Sequence, residues 1–201
     1  MNCFDLIISG VGGQGTVLAS RLFAEAALKV GLEVRTSETI GMAQREGPVI
    51  SHVRVGQNLS GALIPNGKAQ ILLSLEPAEA LRNWDKLAPD GIALVNSRPI
   101  IPPGLSSNEK GYNVPSILNF LAQEKDRVSL LDATEIALEA GNVKAVNMVM
   151  LGALSTVDIL PFPGESLWSV AEEVLPSHLL EVNRLAFQAG RTAFEKSVEI
   201  I

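Results

Sequence analysis

Short apolar runs alternate with helix-period segments along most of the chain. Phe4 to Ser9 (FDLIIS) is apolar, short and stopped by glycine, which predicts a buried strand. Gly10 to Gly15 (GVGGQG) follows as a turn. Thr16 to Val30 predicts a helix with Val17, Leu18, Leu22, Phe23, Ala26 and Val30 on one face and Gly31 as its stop. Leu32 to Ser37 predicts a second strand, and a strand–helix–strand unit places those two strands side by side and parallel. Ile40 to Pro48 (IGMAQREGP) is a loop. Val49 to Val55 (VISHVRV) alternates and is β-branched, so it predicts a strand. Gly56-Gln57-Asn58 supplies turn chemistry, and Leu59 to Ile64 is the expected returning strand of an antiparallel hairpin.

The strand–helix rhythm then resumes. Strands are predicted at Gln70 to Leu75, Ile92 to Asn96 and Val128 to Asp132. Helices are predicted at Pro77 to Trp84, with proline at the first position, at Ser116 to Gln123, and after a cap at Asp132 or Thr134 through Ala140. Arg98 to Val114 is rich in Pro, Gly, Ser and Asn and predicts an irregular excursion. Beyond Val143 the pattern is helical: Val143 to Thr156, Glu165 to Val174 and Leu179 to Lys196. The expected architecture is α/β, a three-layer, Rossmann-like, mostly parallel sheet with an added antiparallel hairpin and a C-terminal helical extension. It forms one domain over residues 1–201, with the α/β core at 1–142 and the helical extension at 143–201.

Composition narrows the chemistry. Of 201 residues 47% are hydrophobic and 19% charged, enough for a packed core, and an aromatic share of 4% leaves that core to Leu, Ile, Val and Ala. A formal net charge of −6 without a basic run argues against nucleic acid. No apolar stretch reaches the length of a membrane span, and the N-terminus shows no secretory pattern, so the expectation is a cytoplasmic protein off the membrane. The single cysteine, Cys3, excludes an internal disulfide and a cysteine-ligated iron–sulfur cluster held by this chain alone.

Two segments carry candidate chemistry. Gly10, Gly12 and Gly15 match G-x-G-x-x-G between strand and helix, with Gly13 and Gln14 between them. Such a loop gives a tight turn, close approach of a phosphate to the backbone, and a helix N-terminus that favours anions. It also serves as plain strand–helix packing, and the acid that reads a dinucleotide ribose has no clear counterpart in Glu33 or Glu38. The second segment is Gly41-Met42-Ala43-Gln44-Arg45-Glu46-Gly47-Pro48, which leaves the carboxyl end of the second strand and can therefore face the glycine loop. Met42, Gln44 and Arg45 join Gly10, Gly12, Gly13, Gln14 and Gly15 as candidate cofactor-binding residues. No nucleophile–base set and no metal-ligand spacing is recognisable, since Cys3, His52 and His178 fall on separate elements.

GVGGQG, GMAQREGPVISHVR, NMVMLGAL (Asn147 to Leu154) and NRLAFQAGR (Asn183 to Arg191) occur in this order. Together they resemble the gamma-type domain of 2-oxoacid:ferredoxin oxidoreductases, with the small (beta) subunit of the indolepyruvate enzymes the nearest type. One difference is Arg45-Glu46-Gly47 where the family often reads Arg-Gly-Gly. The resemblance implies a subunit that has no catalytic residue of its own. It supports thiamine- and coenzyme A-dependent oxidative decarboxylation of a 2-oxoacid to acyl-CoA, CO2 and reduced ferredoxin. Thiamine diphosphate, magnesium and iron–sulfur clusters are then expected on a large catalytic partner, ferredoxin is met through the complex, and coenzyme A is expected at the subunit interface. A homodimer stays open for the isolated chain. The apolar candidates for the partner surface are Ile100 to Gly104 and Leu179, Leu180, Leu185, Phe187 and Phe194. The alternatives are a stand-alone NAD(P)-dependent dehydrogenase and a non-catalytic nucleotide-binding module.

Overall fold

The computed structural model describes residues 3–41, 47–101 and 112–198, with side chains through Lys196. A six-stranded sheet has the order β2-β3-β1-β4-β5-β6. The strands are β1 (Cys3–Val11), β2 (Glu33–Ile40), β3 (Pro48–Gly56), β4 (Ala69–Ser74), β5 (Leu87–Asn96) and β6 (Val128–Leu131). β1, β4, β5 and β6 pair in parallel, whereas β3 runs antiparallel to both β1 and β2. The helices are α1 (Thr16–Lys29), α2 (Pro77–Arg82), α3 (Val114–Gln123), α4 (Ala133–Glu139), α5 (Val146–Leu154), α6 (Glu165–Val174) and α7 (Leu180–Val198).

The antiparallel hairpin sits inside the sheet. β1 and β2 are not neighbours, because β3 lies between them. Residues 59–64 form no strand; the hairpin is made by β2 and β3, in register from Glu33↔Gly56 to Ile40↔Val49. Burial explains the order. β3 carries Val49, Ser51, His52, Val53 and Val55 buried, while β2 (EVRTSETI) is exposed or half-exposed throughout. A strand with two covered faces belongs inside and a charged one at the edge, where Glu33, Arg35 and Glu38 also discourage edge-to-edge pairing. β5 begins at Leu87, earlier than the apolar run beginning at Ile92 suggests, and the β4–β5 register shifts between Ala69 and Ile71.

Strand alternation divides the core into two clusters. Phe4, Leu6, Ile8, Val53, Ile71, Leu73 and Leu94 face one way, toward α1, α4, α5, α6 and α7. Ile7, Leu72, Ala93 and Val95 face the other way, toward α2 and α3. Leu6, Ile7 and Ile8 have no exposure at all, and each such side chain contributes about 1.5–3 kcal/mol by leaving water. The buried face of α1 runs through Ala19, Leu22, Phe23, Ala26 and Ala27, so the expected stripe is rotated. Val17 and Val30 at its ends are 43% and 46% exposed. The alanines, not the valines, meet the sheet, because only a small side chain lets the helix lie close.

The helical extension packs back onto the sheet. All nine residues of α5 are buried, and α5 belongs to the same cluster as β1 and α1. Phe187 and Phe194 are core residues, which removes them from the candidate partner surface, while Leu185 and Ile101 stay partly exposed. The backbones of α5 and α7 touch at one glycine on each helix. A Cβ at Gly152 would stand 2.0 Å from the Phe187 carbonyl oxygen, and one at Gly190 would stand 1.9 Å from that of Val149.

Gly152→Ala and Gly190→Ala are therefore each expected to cost about 3 kcal/mol or more, at the upper end of overpacking penalties. Urea unfolding measures this directly; a loss under about 1 kcal/mol would contradict the backbone contact.

Candidate functional site

The connections after β1 and β4 leave the sheet toward opposite faces. α1 joins the first core cluster, and α2, through Ala80 and Leu81, joins the second. Between two such strands the carboxyl edge opens a crevice, which is where ligands bind in open α/β sheets. The glycine loop leaves β1 at this point.

Each glycine loop residue has a traceable role. Gly10 is pinned by space: an added Cβ would meet Gln14 Oε1 at 2.8 Å, Thr16 Oγ1 at 3.0 Å and Leu75 Cβ at 3.1 Å. Gln14 is a staple. Its Oε1 accepts from Val11 N at 2.8 Å and its Nε2 donates to Leu75 O at 2.7 Å, so one amide ties the ends of β1 and β4. Gly15 precedes α1 with φ 81° and lies against Asn147, whose Nδ2 would be 2.5 Å from a Cβ there and donates to Gly15 O at 3.4 Å. Gly12 N donates to Gly47 O at 2.9 Å. Gly13, with φ 96°, has no atom within 4 Å of where its Cβ would stand. Gly10 and Gly15 thus serve packing, while Gly12 and Gly13 line open space on both sides of the loop. α1 starts with no side-chain cap, so the N–H groups of its first turn point to the crevice region without an internal acceptor.

Two cavities flank the loop. The larger, about 370 Å³, is lined by Gly12, Gly13, Gln14, Arg98, Ile100, Thr134, Val143, Lys144 and Val146. The other, about 310 Å³, lies toward β3 and is lined by Val11, Gly12, Gly13, Gly15, Thr16, Val17 and Val49. Met42, Gln44 and Arg45 lie outside the described residues. The segment that carries them is anchored beside the loop at both ends, by Gly41 N to Pro48 O at 2.8 Å and by the Gly12–Gly47 bond.

Sequence reasoning missed the residues that build the far wall. Buried Glu76, just past β4, accepts from Glu79 N at 2.9 Å, from Ile100 N at 3.3 Å and from the Tyr112 hydroxyl. Burial, and next the Glu76 contact, push the Tyr112 hydroxyl pKa up, so the phenol keeps its proton and donates it. Asn96 donates to Leu75 O and to Thr134 Oγ1. Arg98 donates through Nη2 to Asp132 at 2.8 Å and Glu135 at 3.2 Å. The available signal was positional: Glu76 and Arg98 lie just past the carboxyl ends of β4 and β5, and Asn96 is the last residue of β5.

The other candidates are structural. Asp132 caps α4 by accepting from Glu135 N, which resolves the choice between it and Thr134. His52 is buried, and its Nδ1 accepts from Ile64 N at 3.2 Å. Burial, and then Lys86, lower its pKa, so it is neutral near pH 7. Cys3 donates to Asp5, which also binds Arg54; burial first, then Asp5, raises the thiol pKa and disfavours the thiolate. His178 is exposed. Asn183 binds Leu179 O within its own helix region. Among the described residues no group of three or more His, Cys, Asp or Glu could hold a metal ion, and no helix is long and apolar enough to cross a membrane.

The sheet order bears on the dehydrogenase alternative. A dinucleotide fold brings a parallel neighbour of β1 to read the ribose. Here the neighbour is antiparallel β3, whose start at Pro48 meets the end of β1, and Glu38 stands on the edge strand bound to Ser20. The model of the pyruvate ferredoxin/flavodoxin oxidoreductase family matches residues 5–193. The chain belongs to this family, as a small subunit. It is 38% identical over 192 residues to indolepyruvate oxidoreductase subunit IorB of Thermococcus kodakarensis, covering 94% of this chain and 95% of that one. The keto/oxoacid ferredoxin oxidoreductase gamma subunit of Geobacter sulfurreducens superposes with a TM-score of 0.69 at 26% identity, over 98% of this chain and 99% of that one. A 2-oxoglutarate:ferredoxin oxidoreductase from Magnetococcus marinus, solved with 2-oxoglutarate, coenzyme A and succinyl-CoA, shares the fold. Its TM-score is 0.72 at 20% identity, over 98% of this chain and 32% of that one. The small subunit is thus a mixed α/β domain, and the stand-alone dehydrogenase is not favoured.

Two measurements test the geometry. Gln14→Leu leaves the Val11 N–H without its acceptor and is expected to cost about 2 kcal/mol and speed hydrogen exchange at Val11; unchanged exchange would contradict the staple. The unfolded chain binds a proton on His52 below its ordinary value of about 6.5 and the folded chain resists it, so stability falls as pH drops from there through the lower folded value. His52→Gln should flatten that part of the urea-midpoint profile between pH 7.5 and 5; an unaltered profile would contradict it.

Proposed function

We propose that the chain is the small subunit of an indolepyruvate-type 2-oxoacid:ferredoxin oxidoreductase and that its carboxyl-edge crevice forms one wall of a coenzyme A pocket completed by a large catalytic subunit. The substrate type is supported by the relative named for indolepyruvate. The ligand is supported by the structural neighbour solved with coenzyme A. With one cysteine in 201 residues, the chain leaves iron–sulfur clusters to the partner, and membership of the family assigns thiamine diphosphate and magnesium to that partner too. Ferredoxin is met through the assembled complex, and a cytoplasmic location goes with this reading.

The observation that carries the proposal is the open glycine loop at the switch point. Residues there fit a phosphorylated cofactor: free space over Gly13, an uncapped α1, and cationic side chains on the opposite wall. Coenzyme A would supply the thiol that takes the acyl group. The chain's own work is to hold: Gly12 and Gly13 let a phosphate approach the backbone, Gln14 and Asn147 keep that backbone rigid, and Arg45 is a planar donor on the neighbouring segment. Such positioning serves catalysis by fixing reacting partners before the chemical step.

In a complex reconstituted with the large subunit, Gly12→Val and Arg45→Ala are each expected to raise the KM for coenzyme A about tenfold or more, a loss of about 1.4 kcal/mol of binding. If KM and turnover stayed as in the unaltered complex for both variants, the proposal would fail.

A further inference from the structure

A cavity of about 190 Å³ lies between α6 and α7 and shares no lining residue with the two cavities at the glycine loop. Its apolar part is aromatic. Trp168 packs against Phe187 with ring centroids 5.7 Å apart; Phe187 is buried, and half-buried Trp168 keeps part of its ring open to the cavity. The polar part comes from α7, where Arg184, Gln188 and Arg191 share one face at helical spacing. Arg184 spends all its nitrogens inside the protein. Its Nε and Nη2 donate to the Glu181 carboxylate at 3.0 and 2.6 Å, and its Nη1 donates to Gln188 Oε1 at 3.1 Å. That last bond turns the Gln188 oxygen toward Arg184 and leaves Gln188 Nε2 to donate elsewhere. Arg191 meets Glu165 only in an ion pair of 3.6 Å, and its N–H groups have no hydrogen-bond acceptor among the described residues. The Trp168 indole N–H likewise has none among them.

Unused donors beside an open indole face select a ring that carries an anion. Charge decides which anion. Two arginines stand against two carboxylates, Glu165 and Glu181, so the site has no surplus positive charge to hold a dianion, and a single negative charge is the load it fits. The planar fork of Arg191 matches the two oxygens of a carboxylate. The volume falls below the span of about 300–1,000 Å³ usual for drug-sized ligands, so the cavity admits a small ring acid and not a nucleotide. We propose that α6 and α7 form a binding site for a small aromatic monocarboxylate, with Trp168 as its stacking platform and Arg191 and Gln188 as its carboxylate donors. An aryl 2-oxoacid, or the acid derived from it, is of this chemical class; matching the ligand to the enzyme's own substrate rests on the function proposed above, whereas the site itself rests on the cavity alone.

The test uses phenylacetate as the probe. Calorimetric titration of the full chain should show binding that weakens about tenfold in Arg191→Ala and less in Gln188→Ala, with Arg191→Lys recovering only part of the loss because an ammonium lacks the fork. Acetate, which lacks the ring, and phenylacetamide, which lacks the charge, should not bind measurably. Phenyl phosphate should bind more weakly than phenylacetate. In a Trp84→Phe chain the remaining tryptophan, Trp168, should change its fluorescence during the titration. Gln188 is exposed and Arg191 partly so, and their replacement leaves the fold intact, which circular dichroism confirms. In the complex with the large subunit, phenylacetate should bind with the same dependence on Arg191, and Arg191→Ala should leave the KM for coenzyme A unchanged. Binding that is absent, or indifferent to both Arg191 and Gln188, would overturn the site. Competition with coenzyme A would place the ligand in the crevice, and loss of binding on assembly would give the cavity to the partner; either would overturn it too. Tighter binding of phenyl phosphate would overturn the choice of a carboxylate.

Discussion

One side-chain amide joins the carboxyl ends of the two central strands. Gln14 accepts a hydrogen bond from Val11 N and donates one to the carbonyl of Leu75, and that short tie sets the floor of the crevice. Gly10 has to be glycine so that the amide can lie there, and Gly15 has to be glycine so that Asn147 can reach the loop from α5. The far wall hangs from the same point. Leu75 O also accepts from Asn96, and the next residue, Glu76, holds Ile100 and Tyr112. A loop fixed on both sides offers its backbone to a ligand without paying to order itself.

The antiparallel insertion decides what kind of ligand the loop can serve. In a parallel nucleotide-binding sheet the neighbour of β1 ends at the carboxyl edge and delivers an acid to a ribose. Here β3 starts there, and Gly47 closes onto Gly12. Gly41 N binds Pro48 O as well, so both ends of the 41–48 segment lie beside the glycine loop, where a parallel strand's carboxyl end would otherwise stand. What remains is a rim fit to be completed by another chain, which agrees with membership of a family of multi-chain oxidoreductases.

Much of this was legible in the sequence. FDLIISGVGGQG announces strand, turn and helix; QILLSL, IALVN and VSLLD announce three further strands; and proline and glycine mark most boundaries. The placement of β3 was not, because adjacency in a sheet is decided by comparing strands. EVRTSETI is too polar to be covered on both faces, and VISHVRV is not, so the later strand takes the inner position. The stripe on α1 was misplaced for a related reason: the small alanines that touch the sheet carry less hydropathy than the valines left outside. At the site, the glycine motif was readable because its spacing is local. Arg98, Thr134 and Lys144 were not, since they come from three separate places, past β5, in the first turn of α4 and before α5, that only the fold brings to one cavity. Gln14 stood inside the motif as a ligand candidate, and its role as a staple shows only when Leu75, 61 positions away, is beside it.

The account stands on a division of labour between this chain and a larger one that carries the electron path. Purification of the tagged chain from its native cell extract, with iron, thiamine diphosphate and ferredoxin reduction measured on what comes with it, tests that division directly. The account predicts a stoichiometric large partner bearing iron and thiamine diphosphate, and 2-oxoacid-dependent ferredoxin reduction only when both chains are present. A chain that emerges alone and oxidises a 2-oxoacid at a rate typical of enzymes would contradict it.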